Sequence, residues 1–184
     1  MKATLIYNPT AGARGRKQKL LPKVMARLED RGWEVRAEPT SSMGHATEIA
    51  SAAAATGSEL AIAWGGDGTL NEVACGLLGT ETALGVLPGG TVNVFAREMG
   101  IPLGVDGALD VLLTGRRVRI PVGLANGRAF LLMAGVGLDG EVVYRIKSGF
   151  KHALGALAFW LDGFKMLATY PFDPLRIRYD GGEL

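Results

Sequence analysis

Leu60-Ala61-Ile62-Ala63-Trp64-Gly65-Gly66-Asp67-Gly68-Thr69-Leu70-Asn71-Glu72 is the stretch on which the fold turns. Five apolar residues run without alternation, as in a strand covered on both faces by helices. A glycine-rich turn follows, then a helical segment. Thr69 and Glu72 have S/T-x-x-E spacing, so Thr69 is expected to cap that helix and Glu72 to reach back. Glycines there let backbone N–H groups approach an anion, and a helix N-terminus adds positive dipole. Asp67 sits inside this phosphate cradle. A carboxylate beside phosphate is repulsive unless a cation or a transferred proton involves it, and magnesium-assisted phosphoryl transfer supplies both. The plainer alternative is an Asp-Gly turn before a capped helix. The segment is not a Walker A loop, because G-x-x-x-x-G-K-[ST] is absent.

Outward from this stretch the same unit recurs. Ala3–Tyr7 is a strand ended by Asn8-Pro9, followed by a loop to Gly15 and an amphipathic helix over Arg16–Asp30. Trp33–Ala37 is the next strand, Pro39–Gly44 a loop, and His45–Thr56 an alanine-rich helix. Ala83–Leu87 is a fourth strand; Pro88-Gly89-Gly90-Thr91 follows it as a second cradle or a plain turn, with a helix from about Thr91. Strands alternating with helices imply a mostly parallel sheet. Ligands then bind at the loops beyond the carboxyl ends of the strands. The fold class read from this is α/β: a three-layer domain over residues 1–115. Beyond it, Arg116–Leu124 and Arg128–Ala134 read as strands joined by the hairpin signal Asn126-Gly127. A helix over Lys151–Ala168 and a strand Leu175–Tyr179 come next. Asp180-Gly181-Gly182 reads as a hairpin turn with no returning strand, so residues 116–184 are expected to be the incomplete start of a β-rich second domain. An unpaired strand invites self-association, and a homodimer is one outcome.

Composition narrows the classes. The chain has 184 residues, 48% hydrophobic and 21% charged, which excludes a disordered chain. One cysteine excludes an intrachain disulfide and fits a reducing compartment. Glycine occupies 27 positions, about double the usual ~7% share. The apolar run Ala153–Leu161 is shorter than the ~20 residues of a bilayer span. Residues 1–27 hold seven basic side chains and no acid. They read as a solvated helix face or as a positive mouth for phosphate or anionic lipid. No aromatic lies among the six from Arg14 to Arg27, so a nucleic-acid partner is not expected. Localisation is expected to be cytoplasmic, with peripheral contact at the inner membrane face. His45 and His152 have no ligand at metal spacing, so a surface or capping role is expected of each. Gly135-x-Gly137-x-x-Gly140 lacks the acid-ended βαβ context of a dinucleotide site.

Four segments carry a resemblance: Asn8-Pro9-Thr10-Ala11-Gly12, Gly65 to Glu72, Pro88-Gly89-Gly90-Thr91-Val92-Asn93, and Ala134-Gly135-Val136-Gly137-Leu138-Asp139. Together, in this order, they resemble the diacylglycerol kinase catalytic-domain family, which includes sphingosine kinases and bacterial lipid kinases. The resemblance implies ATP and magnesium as cofactors and a lipid substrate such as diacylglycerol. It implies ATP contacts from Asn8, Pro9, Thr10 and Gly12, from Thr40, and from Gly65, Gly66, Asp67, Gly68, Thr69, Asn71 and Glu72. Gly90, Thr91 and Asn93 complete that set. Asp67 would be the catalytic residue, acting on the magnesium–phosphate network through water or as base toward the lipid hydroxyl. Val94 and Pro121 stand where many relatives carry aspartate, and they offer a divalent cation no oxygen. The alternatives are an NAD kinase-like enzyme, which shares Gly-Gly-Asp-Gly-Thr, and a non-catalytic nucleotide- or lipid-binding protein.

Overall fold

A computed structural model gives the fold and describes residues 1–10, 15–138, 140, 170–171, 174, 176–180 and 182–183. These fall into two units, Met1–Met133 and Ala134–Leu184.

The first unit begins with alternating strands and helices. β1 is Lys2–Tyr7, α1 Arg16–Glu29, β2 Glu34–Pro39 and α2 His45–Ala55. β3 is Leu60–Gly65, α3 Asp67–Gly76, β4 Ala83–Pro88, α4 Val94–Glu98 and α5 Val105–Thr114. The four strands form one parallel sheet in the order β2-β1-β3-β4. The chain therefore winds outward from β1 in one direction and then, through β3, in the other. Such a reversal opens a crevice between the strand ends at which it occurs.

Strand alternation sends side chains to two cores. Ile6, Ala61, Ala63 and Val86 pack with Ala46 and Ala50 of α2, Leu70 and Val73 of α3 and Phe95 of α4. Leu5, Ile62, Trp64 and Leu87 pack with Val24 and Leu28 of α1 and Ala108 and Leu109 of α5. The result is three layers, helices on both faces of a parallel sheet, as the sequence predicts. β3 is buried along its whole length, which explains its unbroken apolar run.

Helix α5 is not anticipated above, although Val105, Ala108, Leu109 and Leu112 recur at helical spacing. The helix expected from about Thr91 begins at Val94. Of the two long strands expected after residue 115, only short segments pair: β5 Gly123–Ala125 with β6 Arg128–Phe130, antiparallel. Their turn is the one predicted. Asn126 has φ 49° and Gly127 φ 77°, the paired positive values of a two-residue hairpin turn.

In the second unit, β7 Arg178–Tyr179 pairs antiparallel with β8 Gly182–Glu183. The expectation of a turn without a return is thereby corrected: Gly182 belongs to the returning strand, not to the turn. The helix expected over Lys151–Ala168 lies outside the described residues, as do His152, Asp139 and Gly12.

Candidate functional site

The sheet ladder continues past the carboxyl ends of the strands. Thr40 N–H donates to Tyr7 O at 2.9 Å, Asn8 N–H to Trp64 O at 3.2 Å, and Gly89 N–H to Gly65 O at 2.8 Å. The loops after β1, β2, β3 and β4 are thus held side by side along one edge. His45 tidies the second of them, its Nδ1 accepting from Ser41 N–H at 3.1 Å.

After β3 the chain enters α3 at once. Gly66 is the N-cap, extended at φ −88°, and its carbonyl accepts Leu70 N–H at 3.0 Å. The capping box expected of Thr69 and Glu72 does not form. Thr69 lies within α3, and its side chain fills the space beside Gly65, where a Cβ would fall 2.5 Å from Thr69 Oγ1. Glu72 Oε2 instead accepts Ala46 N–H at 3.3 Å, at the start of α2. Asn71 is likewise engaged: its Nδ2 donates to Ala129 O at 3.2 Å and its Oδ1 accepts Leu131 N–H at 3.0 Å. It clips the β5–β6 hairpin onto α3.

Asp67 has a structural partner that its spacing does not reveal. Its Oδ2 accepts Val94 N–H and its Oδ1 accepts Phe95 N–H, both at 3.1 Å. These are the first two amides of α4, so Asp67 caps a helix 27 residues away. Val94, which brings no carboxylate, brings an amide to Asp67. Asn93 precedes α4 in the left-handed region, φ 52° and ψ 56°, a conformation asparagine tolerates better than most residues. Its buried side chain closes on one residue in both directions. Oδ1 accepts Gly90 N–H at 2.8 Å, and Nδ2 donates to Gly90 O at 3.0 Å. Thr91 and Val92 are left exposed at the tip. Gly90 lies so near the first turn that a Cβ there would be 2.5 Å from Gly66 Cα. A small cleft opens here between Gly65, Gly66, Asp67, Pro88 and Asn93.

The loop after β1 is bent by Asn8, whose Oδ1 accepts both Thr10 N–H (2.9 Å) and Thr10 Oγ1–H (2.8 Å). Lys17, from the first turn of α1, reaches under it. Its Nζ donates to Asn8 O at 3.0 Å and to Gly89 O at 3.2 Å. Only 4% of Lys17 is exposed, and burial lowers its pKa to about 8. Above, Lys17 is one of seven undifferentiated basic residues; neither spacing nor flanking residues single it out. Two others of that group pair with α5: Lys23 with Asp106 and Arg27 with Asp110, each at 2.7 Å. They serve the packing of α1 on α5, as exposed pairs of modest strength. Pro121 is exposed and outside any strand. Among the described residues there is no cluster of three or more His, Cys, Asp or Glu that could hold a metal ion by itself.

The domain so described is a parallel α/β fold with paired glycine turns after the adjacent strands β3 and β4, the first of them bordering the reversal between β1 and β3, a class suited to phosphate-bearing ligands. The family model for the diacylglycerol kinase catalytic domain matches residues 2–125. Diacylglycerol kinases from two Staphylococcus aureus strains, bovine RF122 / ET3-1 and MRSA252, are each 40% identical over 182 residues, covering 98% of this chain and 58% of theirs. A solved diacylglycerol kinase structure from Bacillus anthracis str. Sterne is 33% identical with a TM-score of 0.64, over 71% of this chain and 48% of its own. Another from the same strain gives 32% and 0.69, over 80% and 55%. The chain belongs to the diacylglycerol kinase catalytic-domain family. It spans a little over half the length of the curated relatives it matches.

Proposed function

We propose that this chain carries the ATP-binding half of a lipid kinase that transfers the γ-phosphate of ATP to the hydroxyl of diacylglycerol or a similar lipid. The observation that carries the reading is the apposition of two glycine turns, Gly65-Gly66 and Gly89-Gly90, beyond the carboxyl ends of the neighbouring strands β3 and β4. Side chains are excluded there by contact distance, which leaves backbone as the surface a phosphate chain meets. Asn8, Pro9, Thr10 and Thr40 flank this surface from the neighbouring loops. Gly68 and Thr69 add the first turn of α3, and Thr91 the exposed tip after β4. Asn71, Glu72 and Asn93 contribute by holding α3, the hairpin and the second glycine turn in register, through the bonds described above.

Magnesium fits this edge in one manner. Mg²⁺ keeps several waters and takes one or two carboxylates together with substrate phosphates. Asp67 is the carboxylate these loops bring there, and it would act through water. When bound, the ion neutralises charge on the transferring phosphoryl group. Asp67 itself is oriented by the two α4 amides, which fixes its charge at the mouth of the cleft. It serves there as a fixed anion for the ion's water shell or as acceptor of the lipid hydroxyl proton.

Asp67→Asn in a catalytically active protein carrying this chain is expected to lower transfer of labelled γ-phosphate to short-chain diacylglycerol by ~10²-fold or more. Unchanged turnover would remove Asp67 from the chemistry. Running the wild type with NAD as acceptor alongside separates lipid from dinucleotide phosphorylation.

A further inference from the structure

We propose that Lys17 is a positioning residue of the nucleotide site: its ammonium ties the Asn8 carbonyl to the Gly89 carbonyl and so sets the first and fourth strand-end loops to face one phosphate chain. The inference rests on the ATP-site reading given above and deepens it.

Three observations converge on it. Lys17 is 4% exposed, and lysine is almost never so buried unless something holds its charge. What holds it here includes two backbone carbonyls from loops 81 residues apart in sequence, Asn8 and Gly89, at 3.0 and 3.2 Å. Second, Gly89 is shaped around the lysine. A Cβ at Gly89 would fall 2.6 Å from Lys17 Cε and 3.2 Å from Trp64 Cδ1, so lysine, glycine and tryptophan interlock beneath the turn. Third, the placement is costly for the fold. An apolar chain of equal length would avoid the desolvation of a charge, and that cost shows as a pKa lowered to about 8 by burial. A stability cost at a site of loop convergence points to function.

The charge also has a use once a polyphosphate arrives. Asn8, Gly89 and Trp64, which close around Lys17, bring no titratable side chain. The titratable group on the neighbouring strand end is Tyr7, whose ring leans on Trp64 with centroids 6.3 Å apart. An anion entering above these loops favours the protonated lysine. ATP binding near pH 8 should therefore be accompanied by proton uptake.

The test is calorimetry with MgATP on the wild type and on Lys17→Met, in buffers of different ionisation enthalpy. We expect ATP affinity to fall at least about tenfold in K17M while its melting temperature stays level or rises. We expect wild-type proton uptake at pH 8–8.5 that fades below pH 7 and is absent in K17M. Equal affinity in the two proteins, or no proton uptake by the wild type, overturns the proposal. If K17M does not fold, the wild-type uptake measurement still decides it. If the wild type binds no MgATP, the nucleotide reading itself falls. Amide exchange then tests the strap alone: Gly89 and Gly90 should exchange about tenfold faster in K17M, and unchanged exchange shows that Lys17 does not hold the loops.

Discussion

Gly65-Gly66 and Gly89-Gly90 are alike on paper, each a glycine pair ending a buried strand, yet they are held in different ways. The first runs straight into a ten-residue helix, with Gly66 as its N-cap and no side-chain cap. The second is followed by three loop residues and a helix of only five. A helix that short is not stable by itself. It is held by side chains from elsewhere: Asp67 on its first amides, Asn93 closing the turn onto Gly90, and Lys17 beneath Gly89. The first turn leads directly into its helix, and the second is held by tertiary partners from α1 and α3 as well as by its own Asn93. Strength of a glycine motif in sequence therefore says little about what keeps it in place.

The comparison can be broken at several points. The largest effect should come from Lys17. Its folded pKa of about 8 lies below the ordinary 10.5, so between these values the unfolded chain holds a proton that the folded chain has released. Unfolding free energy should rise with pH across that window by up to about 3 kcal/mol. Denaturant titrations at pH 7.5 and 10 should show this gain relative to Lys17→Met, and parallel curves for the two proteins would refute it.

Next comes Gly90→Ala. Its Cβ would meet Gly66 Cα, which is backbone and has no rotamer to escape into. Destabilisation of about 1–3 kcal/mol by overpacking, with weakened ATP binding, is the expected result. A melting curve like the wild type's would mean the turns can part freely.

Asn93→Ala should cost about 1–2 kcal/mol through two lost hydrogen bonds and an unfavourable left-handed backbone. Asn93→Gly restores the backbone freedom but not the bonds. If the glycine variant is as stable as wild type, the conformation alone matters and the two bonds to Gly90 carry nothing.

Smallest, and opposite in sign, is Gly68→Ala. Nothing lies within 4 Å of a Cβ there, and the position is helical, so stability should rise by about 0.5–1 kcal/mol. ATP affinity should nonetheless fall, because a methyl group would stand on the surface offered to phosphate. Unchanged affinity in calorimetry would place the phosphate chain away from α3.

Much of the fold was legible because it rests on local periodicity. The unbroken apolar run of β3, the short β-prone run of β1 and the Asn126-Gly127 turn are each recorded within a few residues. Helix α5 escaped although its period is present, because Gly107 interrupts the stretch with a residue of low helix propensity. The site was half legible. Glycines and Asp67 stand out by type, but Thr69 and Glu72 satisfied a capping pattern that the chain does not use. Gly66 caps α3 three residues earlier, and Glu72 faces α2 instead. A spacing rule detects a possible hydrogen bond and is blind to a competing donor brought up by packing.

The sequence by itself determined that this is a parallel α/β protein with glycine turns along one edge, since strand burial and turn chemistry are properties of neighbouring residues. Only the tertiary structure decided that Asp67 caps α4, that Asn71 clips the hairpin, and that Lys17 of all the early basic residues lies under the loops after β1 and β4. Their partners are backbone amides and carbonyls 27, 58 and 72 positions away. Every residue carries a carbonyl and nearly every one an amide, so no residue type marks which of them a side chain will meet. That choice is made when the sheet and its helices pack.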